Sequence, residues 1–362
     1  MVNAWPSAAF AELFTDRSPR HRGIPRSRYS AAGALPIVDQ GGATPAGYTD
    51  DRRHEYTGPL PVLVFGDHTR RVKYIDYRFA VGADGVKVLH PRPGFDARYL
   101  YHALAALDLP DAGYARHFKF LADTAFPAPP PPVQRRVADL LDRAETLAVQ
   151  RRTALTLMEE LLRTLFMETF GDLDPPHADL DDIADFHSGA ALPSGEQFTG
   201  QPGGHLLLKV ADLTVDGNDI ELGAARRWSA TPGARGATCP AGCVVIPKRG
   251  GAIATNKRRL TTRPVVLDPN LMAIRPHGVE LLYLFEWLRG IDLTTLATGS
   301  SMPQLNKKDL AALRVPVPPA PVQRAFTRRA SVLHERIRTQ RAQSRELDAL
   351  FATLRYRAFT GE

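Results

Sequence analysis

Two loops of the sequence carry side chains suited to phosphates and base edges. The first, "GDHTRRVK", supplies His68, Arg70, Arg71 and Lys73. The second, "PKRGGAIATNKRR", supplies Lys248, Arg249, Asn256, Lys257 and Arg258, followed by Arg259. A later segment, "TGSSMPQLNKK", adds Gln304 and Lys307. Guanidinium and ammonium groups pair with phosphate oxygens and with the acceptor edge of guanine, and side-chain amides match adenine. Any one of these cations more often sits in a solvated loop than on a base. Their recurrence in two similar loops lifts the clusters, not the individual residues, as contacts to nucleic acid.

The motifs that would support catalysis are missing or incomplete. "DPPH", Asp174 to His177, is close to the Asp/Asn-Pro-Pro-aromatic motif by which amino-methyltransferases hold an amine. Its aromatic residue is replaced by His, and no glycine-rich strand–loop–helix for a methyl donor precedes it. It reads as the stop of a helix and the start of a linker. "CPAGC", Cys239 to Cys243, has no companion Cys or His pair, so a zinc site is not expected. Two small buried residues flanking a turn fit it better. No phosphate-cradling loop and no acidic pair with a nuclease-type lysine occurs. The expectation is a chain with no catalytic residue, metal or cofactor of its own.

The elements that position the loops come as a repeat. Placing Gln134 on Gln323, an offset of 189 residues, also superimposes Val133 on Val322 and Arg135 on Arg324. Without a gap, Arg152 then meets Arg341, Leu161 meets Leu350, Leu165 meets Leu354 and Phe170 meets Phe359. Each Gln follows a proline run, "FPAPPPPVQ" and "VPVPPAPVQ", and prolines end where a helix interior begins. After them come long heptad patterns. The first seam is read as Val137, Leu140, Ala144, Leu147, Ala154, Met158, Leu161 and Leu165, broken at Arg151. The second runs Ala330, Leu333 and Ile337, weakens at Gln340 and Ser344, and recovers at Leu347, Phe351 and Leu354. An antiparallel pair of the two helices is the natural closure of a repeated globule–helix unit. The bodies before each helix alternate β-formers with turn pairs, so each reads as a strand-rich α+β domain.

The chain has 362 residues, room for two cores, and a formal net charge of +7. Its pI of about 9.5 suits an acidic partner such as nucleic acid. Two cysteines argue against a disulfide framework. No apolar run approaches a membrane span, and the N-terminus has charges where a signal peptide needs an apolar core. A cytoplasmic protein without membrane contact is expected.

The segments "GDHTRRVKYIDYRFAVGADGVKVL", "PPPVQRRVADLLDRAETLAVQRRTALTLMEELLRTLFMETFGD", "VIPKRGGAIATNKRRL" and "GSSMPQLNKKDLAALRVPVPPAPVQ" together resemble the specificity (S) subunits of type I restriction–modification systems. The resemblance spans most of the chain. It implies two target-recognition domains, residues 1–132 and 173–320, each reading half of a bipartite DNA site. Two spacer helices, 133–172 and 321–362, would form an antiparallel coiled coil whose length sets the gap between half-sites. It also implies a non-catalytic subunit with two methyltransferase partners and restriction/motor subunits. S-adenosylmethionine and ATP would be held by those partners. The same architecture could serve another modification or phage-defence complex. From another class, a coiled-coil scaffold binding RNA or an acidic protein remains the alternative.

Overall fold

The computed structural model describes residues 5–19, 23–83, 85–110, 116–299 and 302–360. Residues 113–115 of "GYARHFKFLAD" and Ser300 and Ser301 of "TGSSMPQLNKK" lie outside the described residues. The chain divides into two compact units, Met1–Gln150 with Glu346–Glu362, and Arg151–Arg345.

Besides the pair Ser7–Ala9 with Ala125–Pro127, the first unit holds two larger sheets among the described residues. One has the order Phe14–Asp16, Val86–Pro91, Val62–Gly66, Val72–Ile75, all antiparallel. The other places Leu35–Val38 between Gly47–Thr49 and Ala80–Val81, the latter parallel. The run "VLVF" is apolar throughout because the strand is buried on both faces. Leu63 and Phe65 join the core under the helix Ala97–Ala105, while Val62 and Val64 pack with Val38, Phe79 and Val81.

The second unit repeats this plan at larger size. One sheet runs Ala184–Ser188, Leu271–Pro276, Val244–Pro247, Arg259–Thr261, Glu221–Leu222. The other runs Glu196–Gln197, Arg227–Ser229, His205–Leu208, Val265–Leu267, Thr238–Cys239. Period-two alternation again splits one strand between two cores. Val244 and Ile246 face the helix Leu281–Arg289 and the long helices; Val245 joins Leu206, Val265, Cys239 and Cys243 between the sheets. The two cysteines are therefore small core residues, and the neighbouring Cys243 together with burial pushes the Cys239 thiol up. Gly189 marks a close crossing, where a Cβ would lie 1.6 Å from the carbonyl oxygen of Asp268. Gly23 does the same against Gly82, also at 1.6 Å.

The long helices are Pro131–Phe170 and Ala320–Thr360. Each contributes to both units, since the division falls inside them. Within the second unit they run antiparallel. Phe166 and Phe170, late in the first helix, meet Phe326, early in the second, at 5.6 and 5.1 Å between ring centroids. Further back, Glu159 pairs with Arg341, and Arg151 Nη1 donates to Gln343 Oε1 at 2.7 Å. Within the first unit, Phe359 of the second helix joins Val137 of the first beside Tyr99.

The prolines and glutamines explain why both helices start alike. Gln134 is buried; its Oε1 accepts from Asp96 N–H at 2.8 Å and its Nε2 donates to the Pro129 carbonyl at 2.8 Å. Gln323 repeats both bonds with Glu280 N–H and the Pro318 carbonyl, at 2.8 and 2.7 Å. Tyr99 and Tyr283 donate likewise to the carbonyls of Pro127 and Pro316. One amide therefore ties the start of the long helix to the start of the shorter helix and to the proline run.

The first heptad seam holds at Val137, Met158 and Leu165, which pack on a core, and needs correction by one residue at its other leucines. Leu140, Leu147 and Leu161 are 50%, 41% and 53% exposed, whereas Leu141, Ala148, Leu162 and Leu165 are buried. The physical reason is that leucines lie on two faces of this helix, so a three-four spacing fits either. In the second helix Ala330, Ile337 and Ser344 are buried and Leu333 is half-buried, as the spacing predicts.

Candidate nucleic-acid interface

In the first unit His68, Arg70 and Arg71 sit in the turn joining Val62–Gly66 to Val72–Ile75, and Lys73 lies in the second of these strands. The turn is fixed on the neighbouring sheet: the His68 N–H donates to Gln40 Oε1 at 3.1 Å and Thr69 Oγ1 donates to the Gln40 carbonyl at 2.7 Å. Arg70 takes a left-handed φ of 58°, and its Nη1 donates to the Leu109 carbonyl at 2.9 Å. Lys73 is buried, donates to the Ala43 carbonyl at 2.7 Å and lies 3.8 Å from Asp39. Burial lowers its pKa, against the pull of Asp39. Of the four, Arg71 is the cation left exposed, with its guanidinium against Gly42. It lines a groove of 530 Å³ with Tyr74, Arg98, Tyr101 and Glu145. Arg98 lies over the rings of Tyr74 and Tyr101, at 4.5 and 5.2 Å, and forks onto Asp142.

In the second unit the predicted residues fall into two clusters. Lys248, Arg249, Gln304 and Lys307 form one. Arg249 and Gln304 share a β-bridge, and the Leu305 N–H donates to the Lys248 carbonyl at 2.9 Å. Lys248 Nζ is 3.4 Å from Ser188 Oγ; Lys307 lies 5.4 Å from the Phe186 ring and 2.7 Å from Asp181. Ser188 and Phe186 are two apart on one strand, so both lysines sit on its same face. Arg249 and Lys307 are exposed and Lys248 half-buried.

Asn256, Lys257 and Arg258 form the other cluster. Asn256 turns the chain at φ 48°, donates to Asp292 at 2.8 Å and accepts from the Leu293 N–H at 2.8 Å. Its amide is used in holding the turn and does not project as a base reader. Arg258 is buried, donating from Nη1 to the Asn256 carbonyl at 2.6 Å and from Nη2 to the Ile291 carbonyl. Burial, with Arg289 alongside, pushes its pKa down to about 10. Lys73, Asn256 and Arg258, members of the clusters singled out in the sequence, thus spend their polar groups on protein partners.

Sequence reasoning passed over the cations of the other sheet. Lys209, Arg226, Arg227 and Arg235 are all exposed there. Arg263 lies over Phe198 at 5.5 Å and donates to the Gln201 carbonyl at 2.8 Å, and Trp228 Nε1 donates to the Gly203 carbonyl at 2.7 Å. The signal was present in "AARRW" and "GARG", a doubled arginine beside an aromatic. Arg98, Arg289 and Arg341 were missed because they lie on helices, where charge reads as a solvated face.

Two strand-rich globules with a long antiparallel helix pair define the fold of type I restriction–modification specificity subunits. Over 98% of this chain the structure is similar to the S subunit of the type I restriction–modification system from M. genitalium, covering 96% of that chain with a TM-score of 0.68 and 15% identity. At that identity the likeness is one of fold. A chain from a structural study of complex assembly and conformational transition of the type I R-M system aligns over 98% of this chain and 97% of that one, at 18% identity and a TM-score of 0.49. The HsdS subunit from Thermoanaerobacter tengcongensis aligns over 99% and 97%, at 17% identity and a TM-score of 0.39. No protein-family model matches the sequence, and no curated relative does. No helix among the described residues is long and apolar enough to cross a membrane.

Proposed function

We propose that this chain is the DNA-recognition subunit of a type I restriction–modification enzyme. The observation that carries the reading is the doubled globule, each copy presenting an exposed arginine, Arg71 or Arg249, from a loop held by strands, in a chain with the specificity-subunit fold over nearly its whole length. Residues 1–132 and 173–320 are the proposed recognition domains, each for one half of a bipartite site, with 133–172 and 321–362 as spacer helices. Within the second domain, Lys248, Arg249 and Lys307 are the proposed phosphate contacts. In the first, Arg71 takes that part, with His68 beside it.

The subunit itself is proposed to be non-catalytic and cytoplasmic. S-adenosylmethionine and ATP would act in methyltransferase and motor partners. Exposed apolar side chains at matching positions of the two long helices support two copies of one methyltransferase. Leu161 and Leu350 are 53% and 54% exposed, Met167 and Tyr356 63% and 59%, and each pair is separated by the repeat offset of 189. Large apolar side chains left in water at equivalent places suit a partner that binds twice.

The test is the salt dependence of duplex binding by the purified chain, followed by fluorescence anisotropy. Replacing Lys248, Arg249 and Lys307 together with Ala should lower affinity for every duplex and reduce the log–log salt slope by about 2–3, close to one per phosphate contact. An unchanged slope would remove these residues from the interface. Failure of the parent chain to bind duplex DNA above its binding to a single strand would remove the reading.

A further inference from the structure

The consecutive residues Lys257, Arg258 and Arg259 end in one cavity of the second unit. It has a volume of 460 Å³ and is lined by all three, by Arg289 and Arg341, and by Glu159 and Asp219. Five cations face two carboxylates, and the carboxylates are already engaged. Arg341 pairs with Glu159, Arg345 reaches Asp219 at 2.7 Å, and Arg289 pairs with Glu286 at 3.0 Å outside the lining. Among the described residues, Lys257, Arg258 and Arg259 have no carboxylate within ion-pair distance.

Three neighbouring cations with only distant counter-charges, Asp292 near Arg258 and Asp219 near Arg259, are costly where they are withdrawn from water. Arg258 is 5% exposed, and Arg259 is also held below its ordinary pKa by burial. Arg259 spends its Nε on the Leu213 and Asn218 carbonyls. A clamp for the loop would have each guanidinium satisfied by the protein. Arg258 Nε is instead buried with no partner, and Lys257 is half-buried. Both line the same cavity. The αL turn at Asn256, pinned to Asp292 and Leu293, holds these donors in place before any ligand arrives.

We propose that this cavity binds the phosphate group of an anion, with Lys257 and Arg258 as its donors and Arg289 and Arg341 completing the positive field. The chemistry is shared by a free polyphosphate and by a backbone phosphate of DNA. The second source would rest on the function proposed above; the first would not.

Inorganic tripolyphosphate, titrated calorimetrically into the purified full-length chain, is the probe. The proposal expects saturable binding, weakened about tenfold or more by Lys257→Ala, since one charge-assisted contact is lost. Arg226→Ala, an exposed cation outside the cavity, should leave it unchanged. Circular dichroism of each variant confirms that it is folded. Absence of saturable heat, or equal weakening by both substitutions, overturns the proposal. Repeating the titration with the chain saturated by duplex separates the sources. Loss of tripolyphosphate binding assigns the cavity to a DNA phosphate; retention assigns it to a free anion. If no duplex binds while tripolyphosphate does, the DNA-recognition reading fails and the cavity stands.

Discussion

Gln323 shows at the residue scale what a repeated motif is for. Replacing it with Ala strands the Glu280 N–H and the Pro318 carbonyl, both otherwise paired at 2.8 and 2.7 Å. Each orphaned group costs about 1–3 kcal/mol, so Gln323→Ala should destabilise the second unit by about 2–5 kcal/mol. Urea unfolding followed by the fluorescence of Trp228 and Trp287 measures it. A second residue sets a pH dependence. His102 is buried with Nε2 2.7 Å from Asp142, and Arg98 and Glu145 are its other charged neighbours. Burial outweighs Asp142 and lowers its pKa below the ordinary 6.5. The unfolded chain therefore takes up the proton first, and stability is lost as pH falls from 6.5 toward the folded value. His90 shifts in the same direction and adds to the slope. The urea midpoint of the first unit should be lower at pH 5 than at pH 7.5, and His102→Gln should shrink the difference. The residue scale is also where the sequence was least legible. The types and loops of the cations could be read, but not that Lys73 and Arg258 fold back onto carbonyl oxygens, because direction depends on chain segments distant in sequence.

At the scale of elements, the helices and their antiparallel pairing were readable from the prolines, the heptads and the gapless offset. The first seam was only partly so, because surplus leucines at Leu140, Leu147 and Leu161 favoured the wrong face. The repeat itself holds the remedy. Carrying Ala330, Ile337 and Ser344 back by 189 residues gives Leu141, Ala148 and Leu155, of which the first two are buried and the third packs on the core. Leu140 and Leu147 instead align with Arg329 and Arg336, which are exposed. The same offset pairs Arg151 with Gln340, and these two residues meet, Nη1 lying 3.4 Å from Oε1. The apparent break in the first seam is thus a polar layer. Arg151 Nε is buried there without a partner. Replacing Arg151 with Leu removes that uncompensated group, and Gln340 and Gln343 keep access to water. The variant should be more stable by about 1 kcal/mol, as for other buried ionic groups replaced by apolar ones. Thermal unfolding of the full chain checks this. A lower melting temperature would mean that the layer contributes net stability.

At the scale of the whole molecule, the two globules share strand order but not size. Four- and three-stranded sheets in the first unit become two five-stranded sheets in the second. The common part holds the strand-linked loops and Arg227, whose strand pairs with the added edge strand Glu196–Gln197 of the second unit. Fold class was legible because both proline–helix junctions repeat nearly word for word. The extra strands were not, being two residues long and too short to show alternation. The central claim is that each globule reads its own part of one DNA site. Selection of bound duplexes from a random pool by the purified chain tests it most directly, repeated with Lys248, Arg249 and Lys307 changed to Ala. The account predicts a motif in two parts, of which the variant weakens or alters one and leaves the other as it was. A single undivided motif, or equal damage to both parts, would contradict it.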